Sequence, residues 1–240
     1  MAIVKKIQVE VSKITKHTDS VCTITMNPLT SVPNFLAGQF LHLAIDPYSP
    51  SAQWPESRVF SIQSSPTRNH QLVVTFAVKG KFTRRLFDEV AVGDTIWVKM
   101  PYGSFTFPQN NYDKVLIAGG TGITPFLSFL MGEVDNNSEQ RLQVFYGIRS
   151  EKLILFEEEL KEYKNKLKNF SITYFLETEG SSLTQYELGR LNIDKILSKI
   201  DSADNSEYFL SGPPQMITIL PEDLLKRNIR QERILIDAWE

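Results

Sequence analysis

The chain has 240 residues, 42% hydrophobic and 22% charged, with a formal net charge of -2. That length suits two globular domains, and the near-neutral balance gives no electrostatic reason to expect nucleic acid or an anionic membrane as a partner. A single cysteine, Cys22, excludes an intrachain disulfide, a four-cysteine zinc site and a four-thiolate iron–sulfur cluster, so no metal site is expected.

Residues 1–108 read as β structure. Ile7-Gln8-Val9-Glu10-Val11 alternates apolar and polar side chains, and Val21–Met26, Phe40–Ile45, Gln71–Val78 and Thr95–Lys99 are similar short runs. Asn27-Pro28, Ala37-Gly38, Asp46-Pro47, Val92-Gly93-Asp94 and Pro101-Tyr102-Gly103 punctuate them. This spacing predicts a small barrel or sandwich, with one short helix over Thr83–Glu89. Cys22, between Val21 and Thr23, reads as a buried strand residue.

The character changes after Pro108. Over residues 112–240, strand-like runs (Val115–Ala118, Leu142–Tyr146, Ile172–Leu176, Tyr208–Ser211, Ile234–Asp237) alternate with helical patterns (Thr124–Val134, Leu153–Asn169, a short Ile193–Lys199, Pro213–Asn228). That alternation predicts a doubly wound α/β domain around a parallel sheet. Pro221 should kink or split the last helix. No apolar run reaches the ~18 residues of a membrane span, and the start lacks the apolar stretch of a signal peptide, so a cytoplasmic protein is expected.

Four segments carry candidate chemistry. Ala118-Gly119-Gly120-Thr121-Gly122-Ile123-Thr124-Pro125 leaves a strand and opens a helix. Glycines there let the backbone approach a phosphate, and the helix start adds N–H groups and a positive dipole end. Its spacing is neither the G-x-G-x-x-G fingerprint nor a P-loop, and a plain tight turn is the competing reading. Arg58-Val59-Phe60-Ser61 offers a cation, an aromatic ring and a hydroxyl, or simply a strand with one surface Arg. Phe209–Met216 ends a strand at Gly212 and starts a helix, which puts Ser211 at the carboxyl end of a parallel strand. Trp239 fills a core gap or covers a planar ligand.

Together and in this order, the four segments resemble the ferredoxin–NADP reductase superfamily, over nearly the whole chain. The resemblance implies a six-stranded antiparallel barrel that holds flavin, then a domain for a nicotinamide nucleotide. It casts Arg58 on the flavin phosphate, Phe60 on the isoalloxazine, Ser61 near N5, and Val59 beside them. Phe35–Phe40 is similar to the family's P-G-Q-(F/Y) turn, with Ala37 in place of Pro. Ala77, Val78 and Lys79 align with the strand that lines the cofactor's ribityl and pyrophosphate. Gly80-Lys81-Phe82-Thr83 resembles the G-x-x-(S/T) segment, which implies FAD rather than FMN: Lys81, Phe82 and Thr83 supply N–H groups and a hydroxyl. Gly120, Thr121 and Gly122 then serve the dinucleotide, with Thr121 also near the flavin. Gly147, Ile148 and Arg149 face the dinucleotide, and Ser211, Gly212, Pro213 and Met216 match the C-G-P-P-x-M motif, with Ser211 in place of Cys. Trp239 falls where a C-terminal aromatic shields the flavin. The implied catalytic set is Ser61, Ser211 and Trp239.

NADP-specific members carry Ser-Arg-Glu where this chain has Glu177-Thr178-Glu179. Glu177 would repel a 2′-phosphate and accept hydrogen bonds from a ribose diol, which favours NADH; Arg149 argues for NADPH. The expected activity is a flavin-dependent NAD(P)H reductase serving a ferredoxin, a flavodoxin or another acceptor. The cluster Lys79, Lys81, Arg84 and Arg85 is a candidate docking patch or a set of solvated side chains. Asp237 reads either as a proton donor near the ring or as a strand residue bound to backbone. Two rival readings stay open: a reductase of free flavin, suggested by Asp237-Ala238-Trp239, and a non-catalytic electron-relay subunit.

Overall fold

The computed structural model describes residues 3–68, 70–178 and 186–238. The first sheet is built from β1 (Lys5–Lys16), β2 (Val21–Pro28), β3 (Phe40–Ala44), β4 (Ser57–Ser61), β5 (Leu72–Ala77) and β6 (Thr95–Tyr102), in the order β4-β3-β6-β1-β2-β5. Every neighbouring pair is antiparallel. Its outer strands nearly close on each other: the chain leaving β4 donates Gln63 N–H to Val73 O (2.9 Å), and Val73 N–H donates to Ser64 Oγ (3.3 Å). The alternation read from the sequence supplies the core. Ile7, Val9 and Val11 point inward with Ile24, Leu41 and Val98, while Glu10 stays exposed. Cys22 lies in this core, and burial pushes its thiol above the ordinary range.

Helix α1 (Lys81–Asp88) follows β5. It starts two residues before the expected Thr83, because Thr83 is its third residue: the hydroxyl accepts from Gly80 N–H (3.1 Å) and closes the first turn.

The second sheet contains β7 (Asp113–Gly119), β8 (Leu142–Ile148), β9 (Phe170–Leu176), β10 (Tyr186–Leu188), β11 (Ser206–Ser211) and β12 (Ile234–Ile236). All are parallel, in the order β10-β9-β8-β7-β11-β12. Helices α2 (Thr124–Asp135), α3 (Glu157–Lys166), α4 (Ile193–Leu197) and α5 (Pro214–Lys226) connect them. The chain divides into two compact units, Met1–Phe107 with Thr124–Gly132, and Pro108–Ile123 with Glu133–Glu240. Most of α2 therefore groups with the barrel. Ser128 Oγ donates to Ser64 O at 2.8 Å, and the Phe129 ring stacks on Phe107 at 4.0 Å.

Three expectations are corrected. The helix expected over Leu153–Asn169 is only Glu157–Lys166: a 3-10 turn at Glu151–Leu153 precedes it, and Phe156, at φ +60°, lies in the left-handed region and breaks the run. Pro221 does not split α5, whose buried face is Leu220, Pro221 and Leu224; packing there outweighs the one lost backbone bond. Strand β10 lies between the expected strand Ile172–Leu176 and the expected helix Ile193–Lys199, where the sequence pattern placed no element. Among the described residues, no helix is long and apolar enough to cross a membrane.

Candidate functional site

In the barrel unit, β4 and the start of α1 come together. Arg58 lies on β4 with its guanidinium 5.2 Å from the centroid of the Phe82 ring, which is buried in the first turn of α1. The same guanidinium donates to Glu56 Oε1 (2.9 Å) and to Ser57 O (2.8 Å), so it is oriented beside the helix start. The first N–H groups of a helix have no intrahelical acceptor. Those of α1 belong to Lys81, Phe82 and Thr83, at its positive end. A Cβ at Gly80 would meet nothing within 4 Å, so the approach to that turn is open. A cation next to a helix N-terminus suits a phosphate or pyrophosphate. The Thr83 hydroxyl is engaged inside the loop, accepting from Lys79 N–H (2.9 Å) and Gly80 N–H.

Cross-strand pairing sorts the rest of β4. Phe60 sits opposite Leu41 and faces the core, where its ring lies 5.8 Å from Phe76. Val59 and Ser61 face the other way, opposite His42 and Phe40. That face carries an aromatic group the sequence reading missed: Phe40 stacks on Tyr102 (5.7 Å, 17°) and His42 meets Tyr102 edge-on (4.8 Å). Alternation in Phe40-Leu41-His42 was its available signal. Burial, then Lys99, holds the His42 imidazole below its ordinary pKa. Ala77 ends β5 half-buried, and Val78 N–H donates to Ser20 O (2.7 Å). The P-G-Q-like turn is a clamp. Gln39 Oε1 accepts from Leu36 N–H (2.9 Å) and Nε2 donates to Gly103 O (3.0 Å), while Gly38 at φ +90° leaves no room for a Cβ against Phe105 O.

Of the expected basic cluster, Arg85 is bound to Asp46 (2.9 Å) and Glu89 (3.2 Å), and Arg84 lies 3.7 Å from Asp88.

In the second unit, the strand order reverses between β7 and β11. From β7 the chain proceeds outward through β8, β9 and β10, then returns to place β11 on the other side. Open α/β sheets bind ligands at such a switch point, beyond the carboxyl ends of the strands. The two glycine motifs lie there. Ser211 pairs with Ala118, and a Cβ on Gly122 would fall 2.2 Å from Ser211 O; one on Gly119 would fall 2.7 Å from Met216 Sδ and Pro213 Cδ. These glycines allow the loops to touch, whereas Gly120 is required by its φ of +53°. Thr121, Gly122 and Gly212 are half-buried and Pro213 is exposed.

Gly147 and Ile148 end β8, and exposed Arg149 follows. Glu177 follows β9, its N–H donating to Ile148 O (3.3 Å). Thr178 Oγ1 donates to Arg149 O (3.3 Å). Arg190, just past β10, was not anticipated: its Nε donates to Glu177 Oε2 at 3.1 Å. Ser211 Oγ donates to Asp237 Oδ2 at 2.9 Å, with both residues buried, and Asp237 N–H donates to Leu210 O. The Asp237 carboxylate thus fixes the direction of the Ser211 hydroxyl. Trp239 and Glu179 lie outside the described residues. Among the described residues, no group of three or more His, Cys, Asp or Glu could hold a metal ion.

Residues 116–221 match the family model of the oxidoreductase NAD-binding domain. Over 248 residues, the chain is 26% identical to the reductase component of propane 2-monooxygenase from Rhodococcus jostii (strain RHA1), covering 98% of this chain and 64% of that protein. The structure of Amycolatopsis cytochrome P450 reductase GcoB superposes with a TM-score of 0.85 at 19% identity, over 99% of this chain and 71% of that one. A ferredoxin NADP+ reductase from Neisseria gonorrhoeae with bound FAD and NADP gives 0.76 at 20% identity, over 97% of both chains. A nearly closed six-stranded antiparallel barrel followed by a six-stranded parallel sheet, with the NAD-binding match inside the second, gives this chain the two-domain fold of these reductases.

Proposed function

We propose that this protein is a flavin-dependent NAD(P)H oxidoreductase, with FAD on the barrel and a nicotinamide dinucleotide on the parallel sheet. The observation that carries the reading is the pair of glycine motifs, Gly119–Pro125 and Ser211–Met216, meeting at the switch point of the sheet. When bound, a flavin accepts a hydride from a reduced nicotinamide and releases the electrons singly or as a pair.

The chain's own residues bind and orient. Arg58 and the N–H groups of Lys81, Phe82 and Thr83 would receive the FAD pyrophosphate, with Ala77, Val78 and Lys79 alongside. Ser61 and Val59, on the face shared with Phe40 and His42, would meet the flavin ring, and Phe60 supports them from the core side. Gly120, Thr121 and Gly122 would receive the dinucleotide phosphates. Gly147, Ile148, Arg149 and Glu177 would border its adenosine half, and Ser211, Gly212, Pro213 and Met216 its nicotinamide half. Ser211, held by Asp237, presents an acceptor lone pair where the family motif has a thiol. Trp239 is assigned to cover the flavin. We favour NADH, because Glu177 offers a carboxylate to a ribose diol; Arg190 and Arg149 moderate that preference. The electron acceptor is proposed to be of the kind served by oxygenase reductase components, or a ferredoxin or flavodoxin.

The test is absorbance of the purified protein, then steady-state oxidation of NADH and NADPH with ferricyanide. A yellow protein that prefers NADH is expected. A colourless protein that reduces added flavin would mean that flavin is a substrate. A yellow protein that oxidises neither dinucleotide would mean an electron relay.

A further inference from the structure

Tyr146 is fully buried on β8, next to β7. Its OH donates to Gly120 O at 3.0 Å. The backbone N–H of Leu155 donates to the Tyr146 hydroxyl oxygen, and the ring lies 6.2 Å from that of Tyr174. Each polar end of the phenol therefore has a fixed role. Burial pushes its pKa well above the ordinary tyrosine value, so it remains a neutral donor.

The turn needs such a restraint. Gly119, Gly120 and Gly122 give it more backbone freedom than any other residue type would. A Cβ on Gly120 would meet nothing within 4 Å, so crowding does not hold that residue. A trans peptide is planar, with its C=O and N–H on opposite sides. The bond from Tyr146 to Gly120 O therefore turns the Thr121 N–H to the opposite side of the peptide. Leu155 ties the same phenol to the segment that enters α3, where Phe156 occupies its left-handed conformation.

We propose that Tyr146 is a positioning residue for the dinucleotide diphosphate: its hydroxyl sets the orientation of the Gly120–Thr121 peptide. This rests on the proposed binding of a dinucleotide at the glycine turn. Tyr146→Phe keeps the ring and removes the donor. Binding lost equally by ground state and transition state raises KM and spares kcat, so KM for NADH should rise roughly tenfold with kcat within about twofold. The Kd of ADP-ribose, which has the diphosphate but no nicotinamide, should rise by the same factor. Flavin absorbance and the far-ultraviolet circular dichroism should match wild type. Gly120→Ala reaches the same peptide without touching the core, and should raise both constants through its unfavourable positive φ. Unchanged KM and Kd in Tyr146→Phe, or in Gly120→Ala should Tyr146→Phe not fold, would overturn the inference, as would a loss confined to kcat. A wild-type protein that binds neither NADH nor ADP-ribose would instead refute the dinucleotide reading itself.

Discussion

Glu177 accepts a hydrogen bond from Arg190, and its other neighbour along the sheet edge is Arg149, just past β8. Three adjacent parallel strands thus deliver two cations and one carboxylate to the same edge. A 2′-phosphate there would meet repulsion from Glu177 and attraction from both arginines, in a setting exposed enough to be screened. Glu177→Gln removes the repulsion and releases Arg190. Charges a few ångströms apart at a wet surface interact by about 1 kcal/mol, so kcat/KM for NADPH should rise roughly five- to tenfold while that for NADH changes by less than about threefold. Parallel rate measurements with the two dinucleotides check this, and equal changes for both would contradict it. Glu177 was legible because it follows a strand that periodicity located. Arg190 was not, because it depends on β10, a three-residue strand with no period to detect. The Ser211–Asp237 bond was hidden for a related reason: both residues were singled out, yet no local pattern shows that β11 and β12 are neighbours.

At the level of elements, most strands and helices could be read from alternation and turn residues, and the errors fall where local signals were overruled. α1 begins early because Thr83 caps it backwards, and α5 survives Pro221 because that residue is part of a buried face. The long connection from β3 to β4 shows how an element is held in place to serve the site. It contains Asp46, whose carboxylate receives Arg85 Nη2 (2.9 Å) and Nη1 (3.3 Å) from α1. The bond to Arg85 holds the Asp46 carboxyl below the ordinary carboxylate range. A depressed folded-state pKa contributes stability above the unfolded value, near 3.9, and that contribution disappears as pH falls through the folded value. Asp46→Asn should therefore lower Tm at neutral pH and have no effect once the pH is below both values. The change should be small, since exposed pairs contribute little. Thermal melts of both proteins across that acid range test it. A difference that persists at the acid end would mean that Asp46 acts by packing and not by charge.

For the molecule as a whole, the order of an all-β region and then an α/β region was legible because hydrophobic period changes near Pro108. What secures the start of the second region was not. Lys114, 1% exposed on β7, donates to Glu207 Oε2 on β11 (2.7 Å), Asn110 Oδ1 (2.6 Å) and Pro108 O (3.1 Å), and Asn110 Nδ2 donates to Glu207 Oε1 (2.8 Å). Residues 93 apart in sequence thus share one buried network at the amino ends of two central strands. In the sequence, Lys114 precedes Val115-Leu116-Ile117 like any surface lysine at a strand start. A buried ion pair gains little over a well-packed apolar pair, because desolvation offsets the attraction, but removing one partner strands the other charge. Lys114→Met alone leaves the Glu207 carboxylate without its cation and should cost about 3–5 kcal/mol in unfolding free energy. Lys114→Met with Glu207→Leu removes both charges and should recover most of that loss. Urea unfolding followed by circular dichroism separates the cases. If the double variant is as unstable as the single one, the network's contribution lies in its hydrogen bonds to Asn110 and Pro108 and not in the matching of charge.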